Sequence, residues 1–113
     1  MIYIKVNLLV KSCLRNEKKE YNIRGIYSDK IIKYMEQDTL MIIDLKNYTL
    51  ERSNNDYKIN FDFKKNKVYL NEDDRNFTLD IDLIEIKVLD NYFKVKYKIV
   101  DDCFELEVKV IDN

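Results

Sequence analysis

Asn76-Phe77-Thr78-Leu79-Asp80-Ile81-Asp82-Leu83-Ile84-Glu85-Ile86-Lys87-Val88-Leu89 is the stretch whose reading decides the fold. Apolar side chains fall on Phe77, Leu79, Ile81 and Leu83, then the alternation slips by one residue and resumes at Ile84, Ile86 and Val88. A strand's side-chain period is two, so the slip either turns the core face outward or is absorbed by a β-bulge at Leu83 and Ile84 that bends the strand. One long bent strand over 76–89 is the expectation, and it suits a curled or closed sheet.

Downstream, turns at Asp90-Asn91 and Asp101-Asp102 would set Val88 opposite Phe93, Ile86 opposite Val95, Ile99 opposite Phe104, Tyr97 opposite Leu106 and Val95 opposite Val108, all on the core face. The same register sets Lys96 between Glu85 and Glu107, and Lys98 beside Glu105 with Asp82 near it. The stripe Lys94, Lys96 and Lys98 then reads as outward ion pairs, each contributing about 1 kcal/mol or less.

Upstream, the even positions Ile2, Ile4, Val6, Leu8, Val10 and Leu14 are apolar and predict a long half-buried strand over 2–14, followed by a charged turn over 15–20 and a return strand over 21–27. Gly25, the only glycine, predicts a bulge or a tight bend. A hairpin over 30–36 and 39–46, turning at Gln37-Asp38, gathers Ile32, Tyr34, Met41 and Ile43 on one face. Its other face gathers Ile31, Met35, Leu40 and Ile42, so it needs cover on both sides and predicts a homodimer or partner contact centred on those four residues. Strands over 48–52, 57–63 and 67–70 complete the chain, and no 3.6-residue period lasts long enough for a helix.

Composition bounds the rest. A chain of 113 residues with 46% hydrophobic side chains suits one domain, 1–113, with its own core. Lys and Arg at 20 nearly balance Asp and Glu at 21, so no whole-chain field draws it to nucleic acid or anionic lipid. No apolar run is long enough to span a membrane as a helix, and Met1-Ile2-Tyr3-Ile4 enters a strand without a basic leader; the expected location is the cytoplasm. Cys13 and Cys103 are too few for a stapled scaffold and, with no histidine, cannot complete a zinc site. Closure of the first strand on the last would bring these two thiols together, reduced.

No catalytic residue emerges. Without histidine the usual serine or cysteine triads are excluded, one glycine excludes a phosphate loop, and the acidic pairs at Asp73-Asp74, Asp80-Asp82 and Asp101-Asp102 read as turn and surface residues. No metal or cofactor is expected. In Tyr92-Phe93-Lys94-Val95-Lys96-Tyr97-Lys98 the rings and the lysines fall on opposite faces, which argues against a single-stranded nucleic-acid platform. What remains is a set of ligand-binding candidates: Tyr34, Tyr57 and Tyr97 on presumed inward faces, with Arg52 sharing the parity of Tyr48 and Leu50.

The order of elements, together with patches such as Tyr57-Lys58-Ile59-Asn60-Phe61, resembles the small bacterial YwiB-like family of calycin-like β-barrels, which has no established function and supplies no functional residue. The fold expected is all-β, an antiparallel up-and-down, calycin-like barrel of roughly eight to ten strands, with an OB-like barrel as the alternative. The expected function is a non-enzymatic cytoplasmic binding or protein-interaction module. The alternative is a lipocalin-like carrier of a small apolar acid, with single-stranded nucleic-acid binding ranked last. An interior filled by Phe61, Phe63, Phe93 and Phe104 favours the first, and a lined void above about 300 Å³ favours the carrier.

Overall fold

The decisive stretch is divided at one residue. In the computed structural model, which describes residues 2–11 and 16–111, strand pairing stops at Ile81 and resumes at Asp82. The strands are β1 (Ile2–Lys11), β2 (Asn16–Ser28), β3 (Ile31–Glu36), β4 (Thr39–Asp44), β5 (Thr49–Ser53), β6 (Tyr57–Asp62), β7 (Lys67–Glu72), β8 (Arg75–Asp80), β9 (Asp82–Leu89), β10 (Tyr92–Ile99) and β11 (Asp102–Ile111). They form one eleven-stranded sheet in the order β8-β7-β6-β5-β4-β3-β2-β1-β11-β10-β9. Every neighbouring pair is antiparallel, and the sheet curls into a nearly closed up-and-down barrel. Sequential neighbours throughout, joined only by the closing β1 and β11 pair, exclude the crossed topology of an OB-like barrel.

The break raises the strand number above the expected eight to ten, and it has a physical cause. Ile81 is only 4% exposed, and its N–H donates to the Asn66 carbonyl at 2.9 Å, so its side chain and its amide are spent on the core and a neighbouring turn. On one side of it β8 pairs with β7, and on the other β9 pairs with β10. The chain keeps its direction through this point. Eleven strands therefore contain nine reversals, and β11 returns antiparallel to β1, with Tyr3 opposite Ile111 and Lys11 opposite Cys103. Cys103 is a half-buried thiol. Cys13 and the expected end of the first strand at Leu14 lie outside the described residues. The bulge is where the slip in alternation put it: Lys96 faces Glu85 and Tyr97 faces Leu83, leaving Ile84 as the extra, exposed residue.

Three registers differ from expectation. Residues 16–20 continue β2 instead of turning, because β1 offers a ladder as far as Lys11 opposite Asn16. Their charges stay in water, where Lys5 meets Glu20 at 3.3 Å and Lys19 meets Glu17 at 3.2 Å. Gly25 is neither bulge nor bend. Its φ is not positive, and a Cβ there would stand 2.3 Å from Ile4 Cδ1 and 2.5 Å from the Lys33 carbonyl oxygen, so close strand approach is what requires glycine.

The last hairpin turns at Val100 and Asp101, one residue earlier than expected, which shifts its pairs by two. Phe93 faces Val108, Val95 faces Leu106, Tyr97 faces Phe104 and Ile99 faces Asp102. A shift of two preserves every side chain's face, so the expected core set survives the error. The packing reward is visible in the stacked rings of Tyr97 and Phe104, 5.2 Å apart, and its cost in Val100, held at φ 55°. Outside, Lys96 lies between Glu85 and Glu105, not Glu107, and it is Lys94 that pairs diagonally, with Glu105 at 3.6 Å and Glu85 at 3.9 Å. Lys98 faces Asp82, as expected, and Cys103 in place of Glu105.

The β9–β10 register and the β3–β4 hairpin follow the sequence reading. Val88 faces Phe93 and Ile86 faces Val95, while Gln37 and Asp38 make the turn that sets Ile32 against Ile43 and Tyr34 against Met41. All of these inward residues except the partly buried Ile86 and Val88 are fully buried. Phe61, Phe63, Phe93, Tyr97 and Phe104 form one ring cluster, with successive centroids 5.2 to 6.1 Å apart.

Candidate functional site

β2 outruns β3. The two pair only from Gly25 opposite Tyr34 to Ser28 opposite Ile31, so residues 16–24 of β2 have β1 on one side and no strand on the other. The interior is incompletely walled here, and a cavity of about 360 Å³ is lined by Glu17, Lys19 and Tyr21 of β2, Glu36 of β3 and Arg52 of β5. Tyr97, one flank of the ring cluster, reaches into it, and Leu8, Leu50, Ile59, Phe104 and Leu106 make its apolar wall.

Arg52 is positioned by the ladder. It faces Met41 on β4 and Ile59 on β6, and shares the inward parity of Leu50. A guanidinium in that position ordinarily finds a carboxylate or a carbonyl. Among the described residues none pairs with it, and its Nε is shut off from solvent without a hydrogen-bond partner. Its positive charge is felt by three phenols, Tyr21, Tyr34 and Tyr97, each of which it draws toward ionisation. Burial opposes this and wins at all three, with Glu36 adding to it at Tyr21 and Tyr34, so the phenols are held above their ordinary range. They stay protonated donors at neutral pH.

Tyr34 is 3% exposed, and the Tyr21 hydroxyl stands close to both Glu36 and the Tyr34 hydroxyl, near enough for hydrogen bonding to each to shift its titration, although neither phenol makes a bond of full geometry. A cation with an unpaired donor, loosely held phenols and an apolar wall together match a carboxylate carried on a hydrocarbon body. Among the described residues no cysteine lines the cavity, and its phenols stay protonated at neutral pH.

Of the four ligand-binding candidates, Arg52 and Tyr97 line the cavity and Tyr34 lies buried near Tyr21. Tyr57 is not in the lining. It opens β6 opposite Glu72, and its amide donates to the Asn54 side chain at 3.0 Å to close the preceding turn. Tyr21 and Glu36 were missed. Glu36 shares the parity of Ile32 and Tyr34, which was the available signal, whereas Lys19 and Glu17 were hidden by reading residues 15–20 as a turn.

The outward set Ile31, Met35, Leu40 and Ile42 does share one face, with Met35 directly opposite Leu40. Met35 is exposed and the other three are half-buried. Met35 and Leu40 join exposed Ile26, Arg24 and Lys33 around a shallow groove of about 340 Å³, where β2 and β3 part.

A wider hollow of about 610 Å³ over Lys5, Asn7, Tyr92, Glu107 and Lys109 is open surface. Its central groups answer each other: the Tyr92 hydroxyl donates to Glu107 Oε2 and Asn7 Nδ2 donates to Glu107 Oε1 at 2.9 Å. Those two bonds hold the Glu107 carboxyl below its ordinary range, while burial and then Glu107 push the Tyr92 phenol up to about 12. This bridge braces β1, β10 and β11. On the same side of the barrel the rings of Phe93 and Tyr97 are buried beneath the lysine stripe, so no stacking platform is presented there.

Among the described residues no helix is long and apolar enough to cross a membrane, and no three His, Cys, Asp or Glu side chains are grouped to hold a metal ion. In comparisons with known proteins, no family model, no curated protein and no solved structure matches this chain.

Proposed function

We propose that this chain is a non-enzymatic cytoplasmic binding barrel that carries a small apolar acid, with the carboxylate on Arg52 and the hydrocarbon along Leu50, Ile59 and Phe104. The observation that carries the reading is the unpaired Arg52 guanidinium at the wall of a 360 Å³ cavity. Arg52 is half-buried, with its Nε unpaired and shut off from solvent, and an anion that enters with its own apolar body gains a charge-assisted partner there while burying more surface. The volume holds roughly a dozen non-hydrogen atoms at about 30 Å³ each. Micromolar affinity, about −8 kcal/mol, then requires about −0.7 kcal/mol per atom, well inside the ceiling for small ligands. The resemblance to the YwiB-like barrels is compatible with this reading through strand order alone.

Calorimetric titration tests it with decanoate, decanol and Arg52→Met. Decanoate should bind at micromolar concentration, decanol at least tenfold more weakly, and Arg52→Met should lose the preference for the acid. Equal binding of acid and alcohol to the native chain defeats the proposal.

A second reading rests on the groove beside Met35 and Leu40, whose apolar floor fits a protein partner or a second copy of the chain. Sedimentation of the native chain against the Leu40→Lys, Ile42→Lys double variant separates them: if both run as the same folded monomer, this face is not a self-contact.

A further inference from the structure

Among the described residues the curled sheet leaves three lengths of strand edge without a neighbour: residues 16–24 of β2, the outer side of β9, and β8. Free edges invite another strand, and proteins blunt them with charge, bulges or proline. Two of the three are blunted. β9 carries the Ile84 bulge with Asp82, Glu85 and Lys87, and the free length of β2 carries Glu17, Lys18, Lys19, Glu20 and Arg24.

β8 has neither device. All six of its residues are exposed, its pairing with β7 is regular, and its only charges are Arg75 and Asp80 at its two ends. Phe77 and Leu79 lie on one face, 49% and 44% exposed. Asp73 and Asp74, both left-handed at φ 46° and 62°, make a two-residue turn that leaves Glu72 and Arg75 as a hydrogen-bonded pair. By alternation the amides and carbonyls of Phe77 and Leu79 face β7, while those of Asn76, Thr78 and Asp80 face outward.

We propose that β8 pairs antiparallel with β8 of a second copy, about a two-fold axis through Thr78. That register sets Thr78 against Thr78, Phe77 against Leu79 and Asn76 against Asp80, and it adds about six backbone hydrogen bonds. The apolar pairs form twice by symmetry, bringing together all four half-exposed side chains, and within the six residues of β8 no like charges are opposed. The neighbouring registers lose the apolar pairing: centring on Phe77 sets Leu79 against Arg75, and centring on Leu79 runs Phe77 onto Ile81, which is buried. This self-complementarity is what selects a second copy as the occupant, since an unrelated strand has no need of it. The proposal is independent of the ligand cavity.

The test is the solution mass of the full chain at about 100 µM, where a micromolar contact is largely formed. The native chain should run at twice its 13.8 kDa mass. Thr78→Lys and Thr78→Glu should each run as folded monomers, because like charges meet at the axis, and their equimolar mixture should regain the double mass as a heterodimer. Thr78→Pro, which removes an outward amide and spares the β7 ladder, should also be monomeric. A monomeric native chain overturns the proposal. So does a dimer that survives Thr78→Lys, or one lost instead in the Leu40→Lys, Ile42→Lys variant.

Discussion

The barrel interior has two halves built by opposite rules. Around Phe63 and Phe93 the space is filled by rings in contact, and the other rings of the cluster, Phe61, Tyr97 and Phe104, form the wall between that filled half and the cavity. Around Arg52, Tyr21, Tyr34 and Glu36 the side chains are polar, the phenols are loosely held, one guanidinium nitrogen goes unanswered, and there is a cavity. The difference follows strand pairing. β6, β10 and β11 are paired on both sides, so their inward side chains meet others directly, whereas β2 leaves β3 after four rungs and its inward residues face a gap. Filled interior is stability, and unanswered polarity beside a void is capacity to bind.

The comparison is broken most directly by truncating each half. Phe93→Ala should cost about 3–5 kcal/mol, since the ring is fully buried and its neighbours cannot collapse around the loss. Arg52→Met should change stability by less than about 1 kcal/mol while abolishing acid binding, because the charge it removes has no partner to strand. Urea denaturation measures both. Comparable losses would mean the mouth is as structural as the core.

At the boundary between the halves, Gly25→Ala should destabilise by about 1–3 kcal/mol, as the added methyl overlaps a buried isoleucine tip and a backbone carbonyl of β3. A neutral result would show that β3 moves away freely, and hence that the gap beside it can widen.

A pH series sharpens the contrast through signs. Tyr34 and Tyr97 have folded pKa values raised above about 10, the unfolded value, so their contribution is whole below that pH and declines as pH rises through the raised folded values. Tyr92, raised to about 12, adds to the same alkaline loss. Glu107 is depressed, so its contribution is present above the unfolded value of about 4.3 and is lost as pH falls through the lower folded one. Denaturation midpoints should therefore fall above pH about 10 and below about 4. Tyr34→Phe should lessen the alkaline fall, and Glu107→Gln the acid one.

The smallest effect concerns Val100. A β-branched residue at φ 55° stores about 1 kcal/mol or more of strain, and Val100→Asn should recover up to about 1 kcal/mol without touching either half. Thermal denaturation reads it as a rise in midpoint, and an unchanged midpoint would mean the turn relaxes at no cost.

Local alternation alone determined the class of fold, the inward set and the bulge, because a strand's period of two is written residue by residue. It held even where a turn was misjudged: moving the last hairpin by two left Phe93, Val95, Tyr97, Leu106 and Val108 facing inward. The inward parity of Arg52, Tyr34 and Tyr97 was legible for the same reason.

Only tertiary structure decided the rest. Whether residues 16–20 turn or extend depends on how far β1 offers a ladder, and whether 76–89 is one strand or two depends on the Asn66 carbonyl that takes the Ile81 amide. Tyr57 and Glu36 both have inward parity, yet only Glu36 reaches the cavity, because parity names a face and says nothing of where along the barrel a residue stands. Lys94, not Lys96, holds the glutamates for a similar reason, since an ion pair follows diagonal distance across three strands. The gap between β2 and β3 is written in no single strand. It arises from the unequal lengths of two neighbours, and it leaves Arg52 at the wall of a cavity.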